Sequence, residues 1–386
     1  MEVKQVYTLA NAAAGEALGR TEVISEDLTN LVDIGREIFN ADAVDRYVRS
    51  LVNHIGKVIF VNRPYRGSVP SVLMDGWQFG SVLEKVTAEL PEATINETWE
   101  LIDGASYDPN IFYKPKVSAK FFNNKVTFEV PVSIAQRQVE QSFSSGTQLN
   151  AFISMIYDAV EKAMTIRIDA FVMKTINAMT AATLEDGNAA RAVNLLSLYN
   201  TRYPNANLTA AAAMTTPEFI RFAVYTMANY MDRLEKISEI FNMGGKARFT
   251  PKDLLHVVML SDFRNAADVY LQSDTFHDAY TKLPNAETVP YWQGSGTDYA
   301  FNEISKIHVN IPTPEGPAAE VVQTGILCVM FDRDALGVLN PDRRVTSNYN
   351  GKAEFWNYWY KWDSGYFNDY NENFVMFYVA DEAAES

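Results

Sequence analysis

The 386-residue sequence predicts an α+β protein, because helical and strand patterns alternate along it and no internal repeat is found. Apolar residues recur at helical spacing from Ser145 to about Thr183, with no glycine or proline after Gly146. Apolar and polar residues alternate with a period of two from Lys125 to Ile134. Residues 355–379, FWNYWYKWDSGYFNDYNENFVMFYV, are about half aromatic and predict strands near the end of the chain.

Composition excludes several classes of protein. Apolar content is 47% and charged content 21%, enough to bury a sizeable core, and the formal net charge is −15. That charge disfavours a protein whose main task is gripping nucleic acid, although a local basic strip stays open. The single cysteine, Cys328, excludes an intrachain disulfide and lies in an apolar run that predicts a buried, inert thiol. With no signal-peptide pattern and no apolar run of about 18 residues, we expect a soluble protein of the reducing cytoplasm.

The first part of the chain predicts an arm, two helices and a long excursion. Residues 1–24 show no strong period and predict a loosely ordered arm. A helix should open after Ser25 as N-cap, and a second, ADAVDRYVRSLVNHIG, should stop at Gly56 before a short strand, KVIFVN. Residues 63–116 are rich in Pro, Gly and Asn, with strands expected in SVLEKVTAEL and IFYKPKVSA. So long an irregular stretch is usually functional.

The middle of the chain predicts a hairpin and the longest helix. KVSAKFF can pair with residues 125–134 across Asn123-Asn124, and Pro131 should place the second strand at a sheet edge. Ser145 and Gln148 have capping-box spacing at the start of the long helix.

The rest of the chain alternates helices and strands. RAVNLLSLYN predicts a buried strand, and Thr-Thr-Pro-Glu at 215–218 opens a helix. A second helix is expected from Thr250-Pro251, although its run LLHVVML could instead be a strand. Further strands are expected in ISKIHVNI, EVVQTGILCVMFD, RVTSNYNGKAEFWNYWYKW and NFVMFYV.

No motif predicts catalysis, a metal or a cofactor. The four histidines stand in no zinc-ligand pattern, and His256 lies in an apolar run typical of a core or interface histidine. GSGT at 294–297 looks like a loop rather than a phosphate cradle. The acids Asp363, Asp369 and Glu372 indicate a solvated face or a turn.

The aromatic stretch places large rings on both sides of an extended strand. Trp356, Tyr358, Tyr360 and Trp362 share one side, and Phe355, Asn357, Trp359 and Lys361 share the other, so we expect both faces to be covered. No Lys/Arg-rich amphipathic segment flanks the stretch, which disfavours membrane docking, and the interleaved acids disfavour base stacking. A sugar platform and protein–protein contact stay open. The aromatic packing candidates are Trp356, Trp359, Trp362, Phe367 and Phe374.

Five stretches lie in order over roughly residues 110–380: KFFNNKVTFEVPVSIAQRQVEQSF, LNAFISMIYDAVEKAMTI, AVNLLSLYN, TFHDAYTKLPNAETVPYWQG and RVTSNYNGKAEFWNYWYKWDSGYFNDYNENFVMFYV. Together they resemble the major capsid proteins of tailed bacteriophages, which share the Hong Kong 97 capsid fold. The order and layout carry the resemblance, since no short motif among them is diagnostic alone.

The resemblance implies a domain plan. It has an N-terminal arm with helices (1–62), an extended β-hairpin loop with its flanks (63–143), and a long spine helix with a peripheral domain (144–207). An axial domain (208–345) and a C-terminal return to the peripheral domain (346–386) complete it. A loop that reaches over a neighbour can lack a core of its own. The candidates for this inter-subunit hairpin are Phe121, Phe122, Asn123, Asn124, Lys125 and Phe128.

The resemblance also implies a function and partners. Copies would assemble into hexamers and pentamers of an icosahedral shell that encloses double-stranded DNA without sequence-specific binding. No long charged helical extension precedes the arm, so we expect either a separate scaffolding protein or a scaffold segment that was removed before residue 1. A portal and decoration proteins are further expected partners, with assembly in the host cytoplasm. The alternatives are a nanocompartment shell of the encapsulin type and a carbohydrate-binding protein that uses the aromatic stretch.

Overall fold

The structure is a computed structural model in which 43% of the described residues are helical and 30% lie in strands. It describes residues 3–21, 23–25, 29–41, 43–62, 69–74, 83–88, 101–106, 110, 114, 116–271, 285–292, 305–311 and 318–381. The helices are α1 (Val3–Leu18), α2 (Leu31–Asn40), α3 (Val44–Asn62), α4 (Gln136–Ser142), α5 (Gly146–Glu185), α6 (Leu195–Arg202), α7 (Ala210–Ala213), α8 (Pro217–Leu234) and α9 (Ser261–Leu271). The strands are β1 (Leu73–Met74), β2 (Leu83–Ala88), β3 (Val117–Phe122), β4 (Lys125–Ala135), β5 (Ala192–Asn194), β6 (Leu255–Leu260), β7 (Asn285–Val289), β8 (Lys306–Ile311), β9 (Ala319–Thr324), β10 (Ile326–Asp332), β11 (Leu336–Asn350), β12 (Phe355–Asn368) and β13 (Phe374–Tyr378).

Two larger sheets organise these elements. The first has the order β1-β11-β12-β4, and the second has the order β5-β13-β10-β6-β7. The pairs β1–β11, β5–β13 and β6–β7 are parallel, and the other pairs are antiparallel. Two-stranded sheets form from β2 with β3 and from β8 with β9. Because β12 and β13 are consecutive but lie in different sheets, residues 369–373 join the two sheets.

The long helix α5 supports both sheets. It begins as predicted, since Ser145 Oγ accepts a hydrogen bond from the Gln148 amide at 3.2 Å. Its 40 residues span about 60 Å at the usual helical rise. The Phe171 ring meets Phe128 of β4 at 5.2 Å and Tyr366 of β12 at 5.4 Å. The same helix contacts β13 and the β8–β9 pair, so α5 packs against both larger sheets and the β8–β9 sheet.

The predicted loosely ordered arm is wrong. Residues Val3–Leu18 form α1, which packs on α3 through buried small side chains. These side chains are Ala10, Ala13, Ala14 and Ala17. Their helical spacing was the available signal, but alanine contributes little to an apolar pattern even where it allows close helix packing.

Two further N-terminal predictions are corrected. Helix α2 begins at Leu31 rather than after Ser25, whose hydroxyl instead donates to Asn30 Oδ1 at 2.9 Å. Helix α3 continues through Gly56 to Asn62, so neither the helix stop nor the strand KVIFVN is found. Glycine lowers helix propensity without ending a helix that tertiary packing supports.

Strand pairing also differs from the prediction. No ladder joins β3 to β4 among the described strands, because β3 pairs with β2 and β4 pairs with β12. The edge position expected from Pro131 is confirmed, since β4 ends its sheet.

Two segments after α5 take forms other than the first expectation. RAVNLLSLYN contains only the short strand β5 before α6, which Asn194 caps through its side-chain oxygen. The helix expected from Thr250-Pro251 is wrong over its first part, where the alternative is correct because LLHVVML contains the buried strand β6. The remainder of the predicted segment is helical and forms α9 from Ser261. The predicted GSGT loop lies outside the described residues.

The domain boundaries stay a prediction. Strand β13 of the expected C-terminal return lies in the five-stranded sheet, beside β10 of the expected axial domain. Strand β11 crosses the boundary set at 345. Within the described chain, no helix is both long and apolar enough to cross a membrane.

One glycine makes a close approach that tests the packing of the second sheet. Gly325 has φ +69° and a Cβ there would lie 2.2 Å from the Val379 carbonyl oxygen. Gly325→Ala should therefore lower the free energy of unfolding by about 2 kcal/mol or more in urea denaturation. Gly351→Ala, where the nearest atom would be 3.6 Å away, is the control. Equal effects of the two substitutions would contradict this account.

Candidate assembly surface and its anchors

The antiparallel pair β2–β3, called the ribbon below, has two chemically different faces. Lys85 lies opposite Lys120 and Thr87 opposite Ser118, which makes one face polar. The other face contains Val86, Val117, Ala119 and Phe121, together with Glu84. The faces differ because side chains alternate along each strand.

The apolar face of the ribbon is open to solvent. Val86 is 60% exposed, Val117 60% and Phe121 61%. Grouped apolar side chains at such exposure mark an interaction surface more often than scattered ones do.

The polar face is bound to the chain's own body by ion pairs. Lys85 Nζ lies 2.9 Å from Asp369 Oδ2 and 2.7 Å from Glu372 Oε1, and Lys120 Nζ lies 2.9 Å from Asp369 Oδ1. Arg248 Nε adds a contact to Glu372 Oε1 at 3.2 Å. The Asp369 side chain is only 2% exposed. These five residues are called the ionic cluster.

Electrostatics within the ionic cluster favour the charged forms. Burial disfavours the carboxylate of Asp369, but hydrogen bonds from Lys120 and Lys85 outweigh burial and hold its pKa below the usual value. Burial likewise opposes the charge of Lys85, and its hydrogen bonds to Glu372 and Asp369 nevertheless raise its pKa. The sequence interpretation of Asp369 and Glu372 as a solvated face is therefore wrong, although they do lie in a turn.

A small apolar cluster holds the end of the ribbon. Phe122 packs on Phe367 at 5.3 Å between ring centroids, and Leu339 and Met74 complete the group. Met74 precedes the ribbon along the chain and Phe367 ends β12, so the cluster joins the ribbon to the first sheet.

A second anchor fixes the chain just before the ribbon. The Ser71 hydroxyl donates to Glu287 Oε2 at 2.6 Å, and its amide donates to Glu287 Oε1 at 2.9 Å. His256 Nδ1 lies 3.0 Å from the Ser71 hydroxyl oxygen, and its ring stacks on Phe331 at 5.2 Å. Because the Ser71 hydroxyl donates its hydrogen bond to Glu287, its hydrogen does not point at His256, and His256 is not placed to act as a general base on Ser71. The arrangement joins the excursion to β6 and β7 and does not form a catalytic triad.

The hairpin candidates take different places. Phe121 is exposed and Phe122 is buried, Asn123 and Asn124 are exposed between β3 and β4, and Lys125 is exposed at the start of β4. Phe128 packs inward, 5.4 Å from Trp362 between ring centroids. Their assignment to an inter-subunit contact stays a prediction. Sequence reasoning missed Val86 and Val117. The usable signal was the alternation of apolar and polar residues, in which Val86 stands between Lys85 and Thr87.

The aromatic candidates mostly form the chain's own core. Trp356, Trp362, Phe367 and Phe374 are between 1% and 3% exposed. Trp356 Nε1 donates to Asp45 of α3 at 2.7 Å, and the Tyr360 hydroxyl donates to the Val52 carbonyl at 3.3 Å. Trp359 lies on the opposite face of β12, which is half-buried. The prediction that both faces of this strand are covered is therefore confirmed for one face only. Buried rings of this kind leave no open platform for a sugar.

Side chains that could bind a metal ion do not cluster in the described ranges. No group of three or more His, Cys, Asp or Glu side chains could hold a metal ion there. Cys328 is fully buried, which raises the pKa of its thiol and makes it a poor nucleophile.

The ionic cluster predicts an unequal effect of two lysine substitutions. Lys85→Met should lower the free energy of unfolding by about 2–3 kcal/mol, because the buried carboxylates of Asp369 and Glu372 each lose one ion-pair partner. Lys125→Met, at the exposed start of β4, should change it by less than about 0.5 kcal/mol in the same urea titration. A Lys85 variant as stable as the Lys125 variant would show that the cluster does not hold the ribbon.

His256 predicts a stability that falls in acid. Burial lowers its pKa from 6.5 to about 4, with Arg333 adding to the effect and Asp334 opposing it. Between those pH values the unfolded chain takes up a proton that the folded chain does not, so stability falls as pH falls. His256→Asn removes this linkage. The stability advantage of the unsubstituted chain over the variant should shrink by about 3 kcal/mol from pH 7 to pH 4. An advantage that does not change with pH would contradict this account.

Comparisons with known proteins agree with this architecture. The chain is similar to the capsid structure of Staphylococcus phage Andhra, with a TM-score of 0.54 at 8% identity over 80% of this chain and 83% of that one. It is also similar to the capsid structure of Cyanophage P-SCSP1u, with a TM-score of 0.43 at 12% identity over 83% and 90%. No curated protein matches the chain. A family model described as Phi29-like phage major capsid protein matches residues 10–378. The chain therefore belongs to the Phi29-like phage major capsid protein family.

Proposed function

We propose that copies of this chain assemble into hexamers and pentamers of an icosahedral shell that encloses double-stranded DNA. The observation that carries the proposal is the ribbon, whose polar face is bound to its own body while its apolar face stays open. A neighbouring copy is the natural cover, because a shell places identical subunits side by side. The contact is head-to-tail, since the ribbon meets a different surface on the neighbour, and such contacts close into rings.

The role is structural rather than catalytic. The buried rings of β12, the long helix α5 and the ionic cluster use the chain's chemistry for rigidity. A net charge of −15 suits a wall that holds DNA without binding it tightly. The protein acts in the virion capsid, and we place its assembly in the cytoplasm of the host.

Further partners follow from the resemblance alone. A separate scaffolding protein would set the curvature of the growing shell, a portal would occupy one vertex, and decoration proteins could bind the outside. These partners remain predictions of the proposal.

The apolar face of the ribbon provides the test. Phe121→Asp or Val117→Asp should abolish shells in electron micrographs and leave slowly sedimenting species, because a charge would be buried at the contact. Circular dichroism should stay unchanged, since both side chains are about 60% exposed in the isolated chain.

The matched control is Ser118→Asp, which adds the same charge to the opposite face of the ribbon. This variant should still form shells. Normal shells from both apolar-face variants would overturn the proposed contact, and a wild-type chain that forms no shells or rings under any condition would overturn the proposed function.

A further inference from the structure

A groove between α6 and α8 lies apart from the ribbon and its anchors. Its volume is about 410 Å³, and its lining includes Leu198, Arg202, Phe222, Tyr225, Tyr230 and Arg233. Tyr225 of α8 is 58% exposed and Leu198 of α6 is 43% exposed, so each wall of the groove presents one open apolar side chain.

Two arginines mark the groove as basic on a chain of strongly acidic balance. The Arg202 guanidinium lies 6.0 Å from the Tyr203 ring centroid, and that of Arg233 lies 5.3 Å from the Tyr230 centroid. Both arginines are exposed, and neither forms an ion pair within the part of the chain that the structure describes. An exposed guanidinium group can donate two parallel hydrogen bonds to a carboxylate.

A loop with the opposite character follows α8 directly. Ile237 is 62% exposed and Ile240 53%, and both Glu235 and Glu239 are exposed. Lys236 lies between them, so the segment 235–240 carries two acids against one base.

The loop is held in place from inside. The guanidinium of Arg191, a residue only 7% exposed, donates to the carbonyls of Ile240 and Asn242 at 3.0 and 3.1 Å. Ser238 and Arg248 exchange backbone hydrogen bonds across its base. A loop fixed in this way loses little entropy when it binds.

We propose that the groove of one copy binds the 235–240 loop of the next copy in a ring. Ile237 and Ile240 would cover Tyr225 and Leu198, and Glu235 and Glu239 would pair with the two arginines. The two surfaces are different patches of the same chain, so the contact is head-to-tail and can close. The inference rests on the proposed function, because only an assembling subunit presents the loop at high local concentration.

Charge reversal tests the contact. Arg202→Glu with Arg233→Glu should lower the apparent association constant of ring formation at least about tenfold in sedimentation velocity, and so should Glu235→Arg with Glu239→Arg. All four reversals in one chain should restore assembly, because each groove again meets a loop of opposite charge. Unchanged circular dichroism confirms that the exposed substitutions leave the fold intact.

A cross-link provides an independent measurement. The only native cysteine, Cys328, is buried, so Tyr225→Cys with Ile237→Cys introduces the only accessible thiols. Mild oxidation of assembled protein should give a ladder of covalent oligomers, whereas either single variant should give at most dimers.

The outcomes separate this contact from the proposed function. If the arginine reversals assemble normally while Phe121→Asp does not, the groove contact is overturned and the shell role stands. If the four-fold reversal fails to restore assembly and the double-cysteine chain gives no ladder, the groove contact is likewise overturned. If the wild-type chain does not assemble, the proposed function itself fails.

Discussion

The fold depends on a buried carboxylate that cannot remain charged without cations. Asp369 lies in the segment that joins β12 to β13, and its side chain is 2% exposed. Leaving such a charge unpaired would cost several kcal/mol. Its cations, Lys85 and Lys120, come from the ribbon, the latter 249 residues away in sequence. The segment that joins the two sheets and the position of the ribbon therefore depend on each other, because the same ion pairs stabilise both.

The exposure of the ribbon's apolar face follows from this constraint. Strand alternation fixes Val86 and Phe121 on the side opposite the lysines, so satisfying the ionic cluster turns these side chains outward. Phe122 is drawn into the small cluster with Phe367 for the same reason. The subunit thus gains its internal order by leaving apolar surface exposed on the single chain, which is the surface that we propose another copy covers.

Sequence reasoning succeeded where the signal is local and failed where distant segments decide. The period of α5 and its Ser145 cap, and the alternation of β12, are properties of neighbouring residues. The pairing partner of β4 is not set by neighbouring residues. Asn123-Asn124 favours a hairpin of β3 with β4, but β4 pairs with β12 instead, where the Phe128 ring lies 5.4 Å from the Trp362 ring between centroids. In the candidate site, Phe121 is exposed on β3, and its role in an inter-subunit contact stays a prediction. The carboxylates that hold Lys85 could not be paired with it from a single sequence, because they lie far away along the chain.

The subunit separates rigid from adaptable surfaces in a way that suits rings of two sizes. The rings of β12 on the α3 side and the apolar residues of α5 are packed within the chain, and close packing resists small changes of angle. The ribbon and the groove instead present apolar area, which is non-directional, and exposed charges, whose pairing is weak and tolerant of small displacements. In the proposed shell, a copy would therefore keep its own structure while its contacts adjust between five-fold and six-fold neighbours. Interactions that need strict geometry are buried within the chain, and those that tolerate displacement lie on the surfaces proposed to meet the next subunit.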